Sequence, residues 1–395
     1  MDREEVYKEI ISIPTKKILC ELPTSFGKSK IGMDFALKYK PRKILIVIPR
    51  LVLVDNWKDE FIKWGNKDWL DKIEFSTYVG LNKHKDEEWD CVIFDEVHHL
   101  SERSILYVMT MKIDVAVMLS ATISKDMLYT LKYLVFNGMF HYKIKIREAI
   151  DDNVLPDPRV IVIPLSLDTL RENQVLIEHP KAPIKVKCSY TERWKYIKDK
   201  TLQVHIKCTE YQYIQEINKK IDYWKRKYMV TRNDGIKVKW LYLAGQRLKF
   251  LSSIKNDVIL SLLGQLSSER SLTFCSSIEQ TEILGKNCIN SKNKESMDIR
   301  ERFNKGEIDH ITACDMLNEG VNLVNCRIGL YANLSNSDRI IKQRLGRLLR
   351  HPDPVIIIPY YKNTRDEEIV NKMLEDYNPE LVQYIELKDF KNIKL

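Results

Sequence analysis

Short apolar runs that alternate with helical patterns constrain the fold of this chain more than any other feature. The first series of runs comprises KILCEL (17–22), KILIVIP (43–49), CVIFDE (91–96) and VAVMLS (115–120). Runs of this length between turn residues are typical of strands that are buried on both faces of a parallel sheet. Because helical stretches such as residues 28–39 separate them, we predict an α/β fold with crossover helices on both sheet faces.

A second series of apolar runs occupies the last third of the chain. It comprises SLTFCS (271–276), HITAC (310–314), IGLYAN (328–333) and VIIIP (355–359). The chain has 395 residues, which is enough for two or three domains. We therefore expect two parallel-sheet domains in tandem, at residues 1–140 and 266–395, joined by a linker with an inserted subdomain at residues 141–265.

Positive charge is concentrated in this joining segment. The whole chain has a formal net charge of +9, yet residues 181–249 alone carry 18 Lys and Arg against 6 Asp and Glu, together with ten aromatic side chains. The pattern predicts two half-exposed strands, a long amphipathic helix (210–229), a break at 233–235 and further helices over 240–266. Basic side chains interleaved with aromatic ones suit a surface that contacts phosphates and stacks on bases. A solvated helical face over a small aromatic core is an equally consistent interpretation.

Composition argues against several classes of protein. No apolar run approaches the roughly 18 residues of a membrane span, and the charged start MDREEVYKEI resembles no signal peptide. The eight cysteines are scattered and none forms a C-x-x-C pair. This spacing predicts free thiols in a reducing compartment, and hence a cytoplasmic protein, rather than disulfides or a zinc site.

The stretch ELPTSFGKSKIG (21–32) has the order of a phosphate-binding loop, in which a strand is followed by a tight turn and a helix. In such a loop Gly27 lets the backbone approach a phosphate, Lys28 supplies a charge near the β- and γ-phosphates, and Ser29 offers a hydroxyl to Mg²⁺. The strict pattern fails because Leu22 stands where the first glycine belongs. An ordinary strand-to-helix turn is the alternative, so the loop needs support from other motifs.

An acidic pair follows the apolar strand in CVIFDEVHHL (91–100). Asp95 and Glu96 come at the carboxyl end of this strand, where parallel sheets bind nucleotides. Asp95 is suited to hold Mg²⁺ through water, and Glu96 to orient and deprotonate an attacking water. Adjacent His98 and His99 cannot share one helix face, which excludes a zinc-protease site. A helix cap with exposed charges is the alternative, but the two motifs in this order indicate a nucleoside triphosphatase.

These motifs and others in the same order resemble those of superfamily 2 helicases and translocases of the DExH type. The resemblance covers roughly residues 17–140 and 250–360. Its motifs, in chain order, are PTSFGKS (23–29), IPRLVLVDNWKDEFIKW (48–64), STYVGL (76–81), DEVH (95–98), SAT (120–122), LTFCSS (272–277), CDMLNEGVNL (314–323) and QRLGRLLR (343–350). The fold that the resemblance implies is two RecA-like parallel-sheet domains in tandem, here with a basic, aromatic insertion between them.

The last of these motifs is the most specific. In QRLGRLLR, the residues Gln343, Arg347 and Arg350 are spaced i, i+4 and i+7, which predicts one face of a helix. The resemblance implies that this face meets the γ-phosphate of ATP across a cleft between the domains, with Arg347 and Arg350 as arginine fingers. Two guanidinium groups in fixed positions stabilise the charge on a transferring phosphoryl group. A basic helix that faces solvent is the alternative.

The resemblance implies roles for further residues. The nucleotide would be bound by the phosphate-loop residues Pro23, Thr24, Ser25, Phe26, Gly27, Lys28 and Ser29, and Mg²⁺ by Ser29 and Asp95. Hydrolysis would be coupled to domain movement by His98, Ser120, Ala121, Thr122 and Gly320. The nucleic-acid backbone would be contacted by Pro49, Arg50 and Thr77, and the basic insertion would add Lys225, Arg226 and Lys227.

The sequence departs from the family pattern at several positions. No glutamine precedes the phosphate loop, so the usual adenine-reading glutamine is missing or supplied from elsewhere, and the base preference stays open. Cys314 stands where a threonine often contacts phosphate, although a thiol is a weak donor, and Asn322 replaces a usual aspartate. Ser25 and Phe26 occupy turn positions where small, flexible residues are usual. We expect strain at Ser25 if its φ is positive, and we expect Phe26 to line the cleft or pack near the nucleotide.

Together the motifs predict an ATP- and Mg²⁺-dependent helicase or translocase whose partner is nucleic acid, with DNA favoured over RNA. The form of the phosphate loop is closest to phage recombination and branch-migration helicases, which favours a monomer that works beside replication or recombination proteins in a bacterial or phage-infected cytoplasm. The alternatives are a duplex translocase or remodeller that never separates strands, an RNA helicase, and a nucleic-acid-binding scaffold with an inactive ATPase site. Intact Lys28, Glu96 and Arg347 argue against the scaffold.

Overall fold

Helices and parallel strands alternate along most of the chain. A computed structural model describes residues 2–177, 184–189, 202–266, 269–314, 323–335 and 337–395. The strands are β1 (Lys17–Glu21), β2 (Ile44–Ile48), β3 (Ile73–Thr77), β4 (Glu88–Asp95), β5 (Lys112–Ser120), β6 (Phe140–Lys143), β7 (Arg159–Leu165), β8 (Asn173–Ile177), β9 (Ile184–Ser189), β10 (Leu202–Cys208), β11 (Ser271–Phe274), β12 (Cys288–Ile289), β13 (His310–Ala313), β14 (Ile328–Tyr331), β15 (Val355–Tyr361) and β16 (Val382–Tyr384). The helices are α1 (Arg3–Ser12), α2 (Lys28–Leu37), α3 (Val54–Lys63), α4 (Glu102–Thr110), α5 (Lys125–Tyr129), α6 (Ile146–Asp151), α7 (Glu210–Thr231), α8 (Asp234–Ser253), α9 (Asn256–Gln265), α10 (Ile278–Leu284), α11 (Ser296–Lys305), α12 (Asp338–Leu348) and α13 (Arg365–Leu374).

The first sheet has the strand order β3-β2-β4-β5-β1-β6, and its strands all run parallel. All five residues of β2 are buried, as expected for an unbroken apolar run in a sheet that is covered on both faces. Strand β5 lies between β1 and β4, and its register sets Ser120 beside Glu21 and Leu119 beside Asp95. The phosphate loop, the acidic pair and the SAT segment therefore all follow the carboxyl ends of strands, on the same side of the sheet.

The second sheet has the order β12-β13-β11-β14-β15-β7-β16 and is also parallel throughout. The four apolar runs of the second series all form strands of this sheet, as predicted. Strand β7 pairs with β15 along seven positions, although the two strands are far apart in the chain. The second domain thus takes one strand from the region before the insertion.

The division drawn from the sequence differs from the observed sheets in this region. It assigns residues 141–265 to the linker, whereas β6 reaches into that range from the first sheet and β7 belongs to the second sheet. Pro156 and Pro158 precede β7, and prolines at this spacing are typical of a loop. The partner of β7 lies beyond the whole insertion, and no local pattern reveals such a pairing.

The insertion consists of a small sheet and a helical hairpin. In the small sheet, β10 runs antiparallel to β8 and parallel to β9. Helices α7 and α8 form the hairpin. The chain breaks at Arg232, which has a φ of 50°, and at Asn233, which caps α8 by accepting from the N–H of Ile236. The predicted break is therefore confirmed at Asn233, whereas Asp234 and Gly235 already belong to α8. The base of the hairpin is buried in the core of the second domain through residues such as Ile214 and Leu251. Its far end, from about residue 222 to residue 243, is largely exposed.

Two further observations concern the described part of the chain. Its helices include none that is both long and apolar enough to span a membrane. Its cysteines are free and buried, for example Cys20 in β1 and Cys326 before β14. Burial raises the pKa of the Cys20 and Cys326 thiols to about 12, so both side chains are neutral packing groups.

Candidate nucleotide site between the two domains

The phosphate loop passes from β1 to α2 through a turn with two residues in the left-handed region. Ser25 has a φ of 72°, and Gly27, which precedes the helix, has a φ of 96°. Ser25 therefore meets the condition for strain, which for a residue other than glycine is about 1 kcal/mol. No side chain caps α2, so the first N–H groups of the helix are available to an anion. The side chains of Leu22 and Phe26 are both buried, with exposed fractions of 0% and 1%.

Lys28 connects the phosphate loop with the acidic pair. Its Nζ lies 3.9 Å from Glu96 Oε1 and 3.4 Å from the carbonyl oxygen of Leu22. Asp95 Oδ2 accepts a hydrogen bond of 3.0 Å from Trp57 Nε1. Burial, and then the neighbouring Glu96 charge, raises the pKa of Asp95 to about 6, although Trp57 and Lys28 oppose the shift.

His98 links the acidic pair to the SAT segment. Its Nδ1 lies 2.9 Å from Ser120 Oγ and 3.4 Å from Glu96 Oε2. Ser120 Oγ donates its single proton to the carbonyl oxygen of Thr122 at 2.7 Å, so His98 Nδ1 is the donor to Ser120. A continuous chain of contacts therefore runs from Glu96 to Thr122. Ala121 lies inside this segment, and Gly320 falls outside the described residues.

The second domain reaches the phosphate loop through α12 and the turn after it. Thr24 Oγ1 donates to the carbonyl oxygen of Lys342 at 3.2 Å, and Ser25 Oγ donates to the carbonyl oxygen of Gly346. Arg350 Nε donates to Ser25 Oγ at 3.1 Å. A Cβ added to Gly346 would overlap Thr24 Oγ1 and Cβ, so only glycine permits this approach. The phosphate loop and QRLGRLLR are thus in direct contact across the domain boundary.

The three predicted residues of QRLGRLLR do not all lie on the helix. Helix α12 ends at Leu348, and Arg350 lies in the following turn, because Pro352 is close behind and the residue before a proline disfavours helix. Gln343 and Arg347 lie on the helix and are buried, with exposed fractions of 2% and 6%. Neither the amide nitrogen nor the amide oxygen of Gln343 has a hydrogen-bond partner within the described ranges. A buried amide of this kind is a candidate for ligand contact.

The donors present fit a hard divalent cation such as Mg²⁺. The candidate ligands are the Ser29 hydroxyl and the Asp95 carboxylate. The described residues contain no group of three or more His, Cys, Asp and Glu side chains that could hold a metal. Mg²⁺ would therefore be bound here together with substrate phosphates and water, which is its usual mode.

The residues predicted to contact a nucleic-acid backbone also lie at the carboxyl ends of strands of the first sheet, but on β2 and β3, away from the phosphate loop. Pro49 and Arg50 follow β2, Thr77 ends β3, and the register of these neighbouring strands pairs Ile48 with Thr77. Arg50 is exposed, while Thr77 Oγ1 accepts from the N–H of Gly80 at 3.1 Å. Strands β4 and β5 separate this group from the phosphate loop. A strand bound here would lie beside the nucleotide site and not in it.

The predicted basic residues of the insertion lie on the exposed end of the hairpin. Lys225, Arg226 and Lys227 are all exposed. Lys227 Nζ lies 5.2 Å, and Lys239 Nζ of α8 lies 4.1 Å, from the ring centroid of Trp224. Other rings are open to solvent, such as Tyr223 at 56% exposure. The hairpin end is therefore a mixed cationic and aromatic surface and not only a solvated face over an aromatic core.

Three residues of the site were not predicted from the sequence. Trp57 of α3 bonds to Asp95, Tyr78 Oη donates to the carbonyl oxygen of Asp95 at 2.6 Å, and an Arg3 terminal nitrogen donates to the carbonyl oxygen of Ser25 at 3.1 Å. Trp57 lies on the apolar face of an amphipathic helix, and a buried tryptophan N–H usually finds an acceptor. That rule predicts a partner for Trp57 but not its identity.

Comparison with known proteins places this geometry in context. Residues 254–352, which include α12, match the family described as the helicase conserved C-terminal domain. Over 376 residues the chain is 22% identical to a protein of Sulfurisphaera tokodaii named DNA 3′-5′ translocase XPB2, in a match that covers 92% of this chain and 79% of that protein.

Solved structures of similar fold cover nearly the whole chain. S. cerevisiae Dbp5 bound to RNA and ADP BeF3 has a TM-score of 0.59 at 11% identity, over 99% of this chain and 90% of that one. The Pyrococcus furiosus Hef helicase domain has a TM-score of 0.52 at 14% identity, over 94% and 97%. These similarities confirm the predicted fold class, which is two RecA-like parallel-sheet domains.

Proposed function

We propose that this protein is a superfamily 2 helicase or translocase with nucleic-acid-dependent ATPase activity. The match of residues 254–352 to the helicase conserved C-terminal domain and the similarity to solved helicase structures support this proposal. One observation carries the proposal: the phosphate loop of the first domain is hydrogen-bonded to QRLGRLLR of the second. A nucleotide site shared by two domains links hydrolysis to their relative movement. DNA is favoured over RNA, and the name of the S. tokodaii relative, a DNA translocase, supports this preference.

In this proposal each domain contributes a separate part of the chemistry. The N-terminus of α2 and Lys28 bind the phosphates of ATP. Glu96 orients a water and accepts its proton as the γ-phosphorus is attacked. Arg347 and Arg350 approach from the second domain and stabilise the charge on the transferring group. Mg²⁺, held by Ser29 and Asp95, would supply further neutralisation of the phosphate charge.

Coupling to nucleic acid would follow the contacts that connect the site with its surroundings. Because His98 contacts both Glu96 and Ser120, a change at Glu96 reaches the SAT segment directly. Pro49, Arg50 and Thr77 would hold the sugar–phosphate backbone without reading its sequence. Alternating grip by the two domains, with ATP closing the cleft and hydrolysis reopening it, would move the protein along a strand.

The finer assignment rests on the motifs alone. The sequence DEVH favours the DExH subtype, and the phosphate loop favours kinship with phage recombination and branch-migration helicases. In keeping with this assignment, we propose that the protein is a monomer and acts in the cytoplasm beside replication or recombination proteins. Measuring the molar mass of the purified protein with and without forked DNA tests the monomeric part of this assignment.

The central test is an ATPase titration with single-stranded DNA, duplex DNA, forked DNA and RNA. We expect stimulation by at least one DNA. Lys28→Ala should abolish the activity by removing a phosphate ligand, and Glu96→Gln should reduce it about 100-fold or more by removing the general base while nucleotide binding persists. Glu102→Gln, the same change at an exposed position on α4, is the matched control and should leave activity intact. Full activity of Lys28→Ala or Glu96→Gln contradicts the assignment.

A duplex translocase that never separates strands is the second candidate, favoured by the name of the S. tokodaii relative. Strand-displacement and triplex-displacement assays distinguish the two, because a pure translocase displaces only the third strand. A phosphate-release assay decides the remaining alternative, a scaffold with an inactive ATPase site. Absence of phosphate release with every nucleic acid would favour that scaffold.

A further inference from the structure

The Ser25 hydroxyl joins the two domains at the phosphate loop. It donates to the carbonyl oxygen of Gly346 and accepts from Arg350 Nε at 3.1 Å. Ser25 belongs to the first domain, and both of its partners belong to the second. A hydroxyl is suited to this position because it donates one hydrogen bond and accepts others at the same time.

The backbone at Ser25 is held in a conformation that a serine adopts at a cost. Its φ of 72° is in the left-handed region, and Arg3 of α1 donates to its carbonyl oxygen at 3.1 Å. Strained residues of this kind persist where their surroundings fix them, and they cluster at functional sites. Glycine would adopt this φ without strain but has no hydroxyl. The serine therefore retains a side chain at the expense of local strain.

We propose that Ser25 is a positioning residue for Arg350. The bond from Nε leaves the two terminal nitrogens of the guanidinium for another group, and it is through such paired donors that arginine binds phosphate oxygens bidentately. An arginine side chain loses much rotamer freedom when it is ordered, and an existing bond reduces that loss at the moment of catalysis. This inference rests on the proposed function and adds to it the phosphate-loop group that orients the arginine from the opposite domain.

The test compares Ser25→Ala with Ser25→Gly. Both remove the hydroxyl, but only glycine relieves the backbone strain, so an effect of the hydroxyl is common to both variants and an effect of strain is not. We expect kcat of the DNA-stimulated ATPase to fall about tenfold in both, with KM for ATP and affinity for ADP unchanged. In an Arg350→Ala background, Ser25→Ala should cause no further loss.

Two outcomes overturn the proposal. The first is a kcat within twofold of wild type in both variants. The second is losses that multiply when Ser25→Ala and Arg350→Ala are combined, together with weaker ADP binding, because Ser25 would then bind phosphate independently of Arg350.

A readout that needs no catalysis separates this inference from the proposed function. Hydrogen–deuterium exchange of the nucleotide-free protein should increase over residues 342–350 in Ser25→Ala, since their contact with the phosphate loop is weakened. If the wild type hydrolyses no ATP and this increase still occurs, the proposed function fails while the contact stands. An unchanged exchange pattern together with an unchanged kcat removes the inference while leaving the ATPase assignment intact.

Discussion

At the residue scale, the residues that depart from the usual phosphate-loop pattern each make specific contacts in the folded protein. Leu22 and Phe26 are buried in an apolar cluster that also includes residues of the second domain, such as Leu345. A position of Phe26 at the cleft or near the nucleotide stays a prediction. Ser25 has the positive φ that the turn requires and bonds to two residues of the second domain. The unusual residues of the loop therefore serve packing and interdomain contact, while Gly27 and Lys28 keep the usual phosphate-binding pattern.

Because Gly346 lies close to Thr24, a side chain added at Gly346 should disturb the contact, and a smaller residue at position 24 should partly restore it. Gly346→Ala should reduce DNA-stimulated ATPase at least about tenfold, because the new methyl overlaps the Thr24 side chain and separates the domains. Adding Thr24→Gly should restore part of the activity, since the nearest remaining atom, Thr24 Cα, lies 3.3 Å from the new Cβ. The measurement is kcat at saturating ATP and DNA.

Gly264→Ala is the matched control for this prediction. Gly264 is exposed in α9, and a Cβ added there meets nothing within 4 Å. This variant should keep full activity and gain a few tenths of a kcal/mol in stability from the better helix propensity of alanine. Full activity in Gly346→Ala alone would contradict the interdomain packing.

At the element scale, the predicted strands are those whose apolar runs are longest and most buried. All eight apolar runs of the two series are strands, whereas β6, β8, β12 and β16 were not predicted because none of them contains a long apolar run. Strand β7 was missed for another reason, since its partner β15 is distant in the chain. The helical hairpin was predicted because a capping residue and a helix break leave a local signal, which Asn233 and Arg232 supply.

One buried ion pair connects α9 with α13. Lys255, at the start of α9, and Asp366, in the first turn of α13, are 0% and 1% exposed, and their Nζ and Oδ2 atoms are 2.5 Å apart. Removing one partner leaves the other charge buried without compensation, which costs about 3–5 kcal/mol. Asp366→Asn should therefore lower the free energy of unfolding of the second domain by about this amount, measured by urea denaturation.

Glu368→Gln provides the control for this ion pair. Glu368 pairs with Arg365 one turn along the same helix, but its side chain is exposed. Exposed pairs contribute about 0–1 kcal/mol, so this change should leave the urea midpoint nearly unchanged. Equal effects of the two substitutions would show that the buried pair has no special role in the second domain.

At the scale of the whole molecule, the chain has three candidate functional regions. The candidate nucleotide site lies where the two domains meet, the predicted backbone contacts lie at the carboxyl ends of other strands of the first sheet, and the hairpin projects from the second domain. The hairpin is anchored by its apolar base and exposed at its cationic end, so its charges can be changed without disturbing a core. Residues 315–322, which include Gly320 and Asn322 of the predicted CDMLNEGVNL motif, fall outside the described residues.

Simultaneous charge reversal of Lys225, Arg226 and Lys227 to glutamate should weaken DNA binding and lower the salt dependence of log Kd by about one for each phosphate that the hairpin ceases to neutralise. ATP hydrolysis without nucleic acid should be unchanged, because these side chains lie away from the phosphate loop. The measurement is fluorescence anisotropy with labelled duplex over a range of salt concentrations.

A second triple variant separates local contact from general charge. Lys292, Lys294 and Lys305 are surface lysines of the second domain, and reversing them changes the net charge by the same amount. If hairpin contact matters, only the hairpin variant loses most of its affinity and salt slope. Equal losses in both variants would mean that overall charge, and not the hairpin, governs binding.

The fold class, the order of the motifs and the candidate phosphate-binding and acidic residues follow from the sequence alone, because these signals lie in short local patterns. The contact of Ser25 with Arg350, the bond from Trp57 to Asp95 and the place of β7 in the second sheet are seen only in the folded protein. Each of these contacts joins residues that are distant in the chain. Such contacts form only when the whole chain packs into its core. The free energy that favours them comes from this packing, so no single segment of the sequence reveals them.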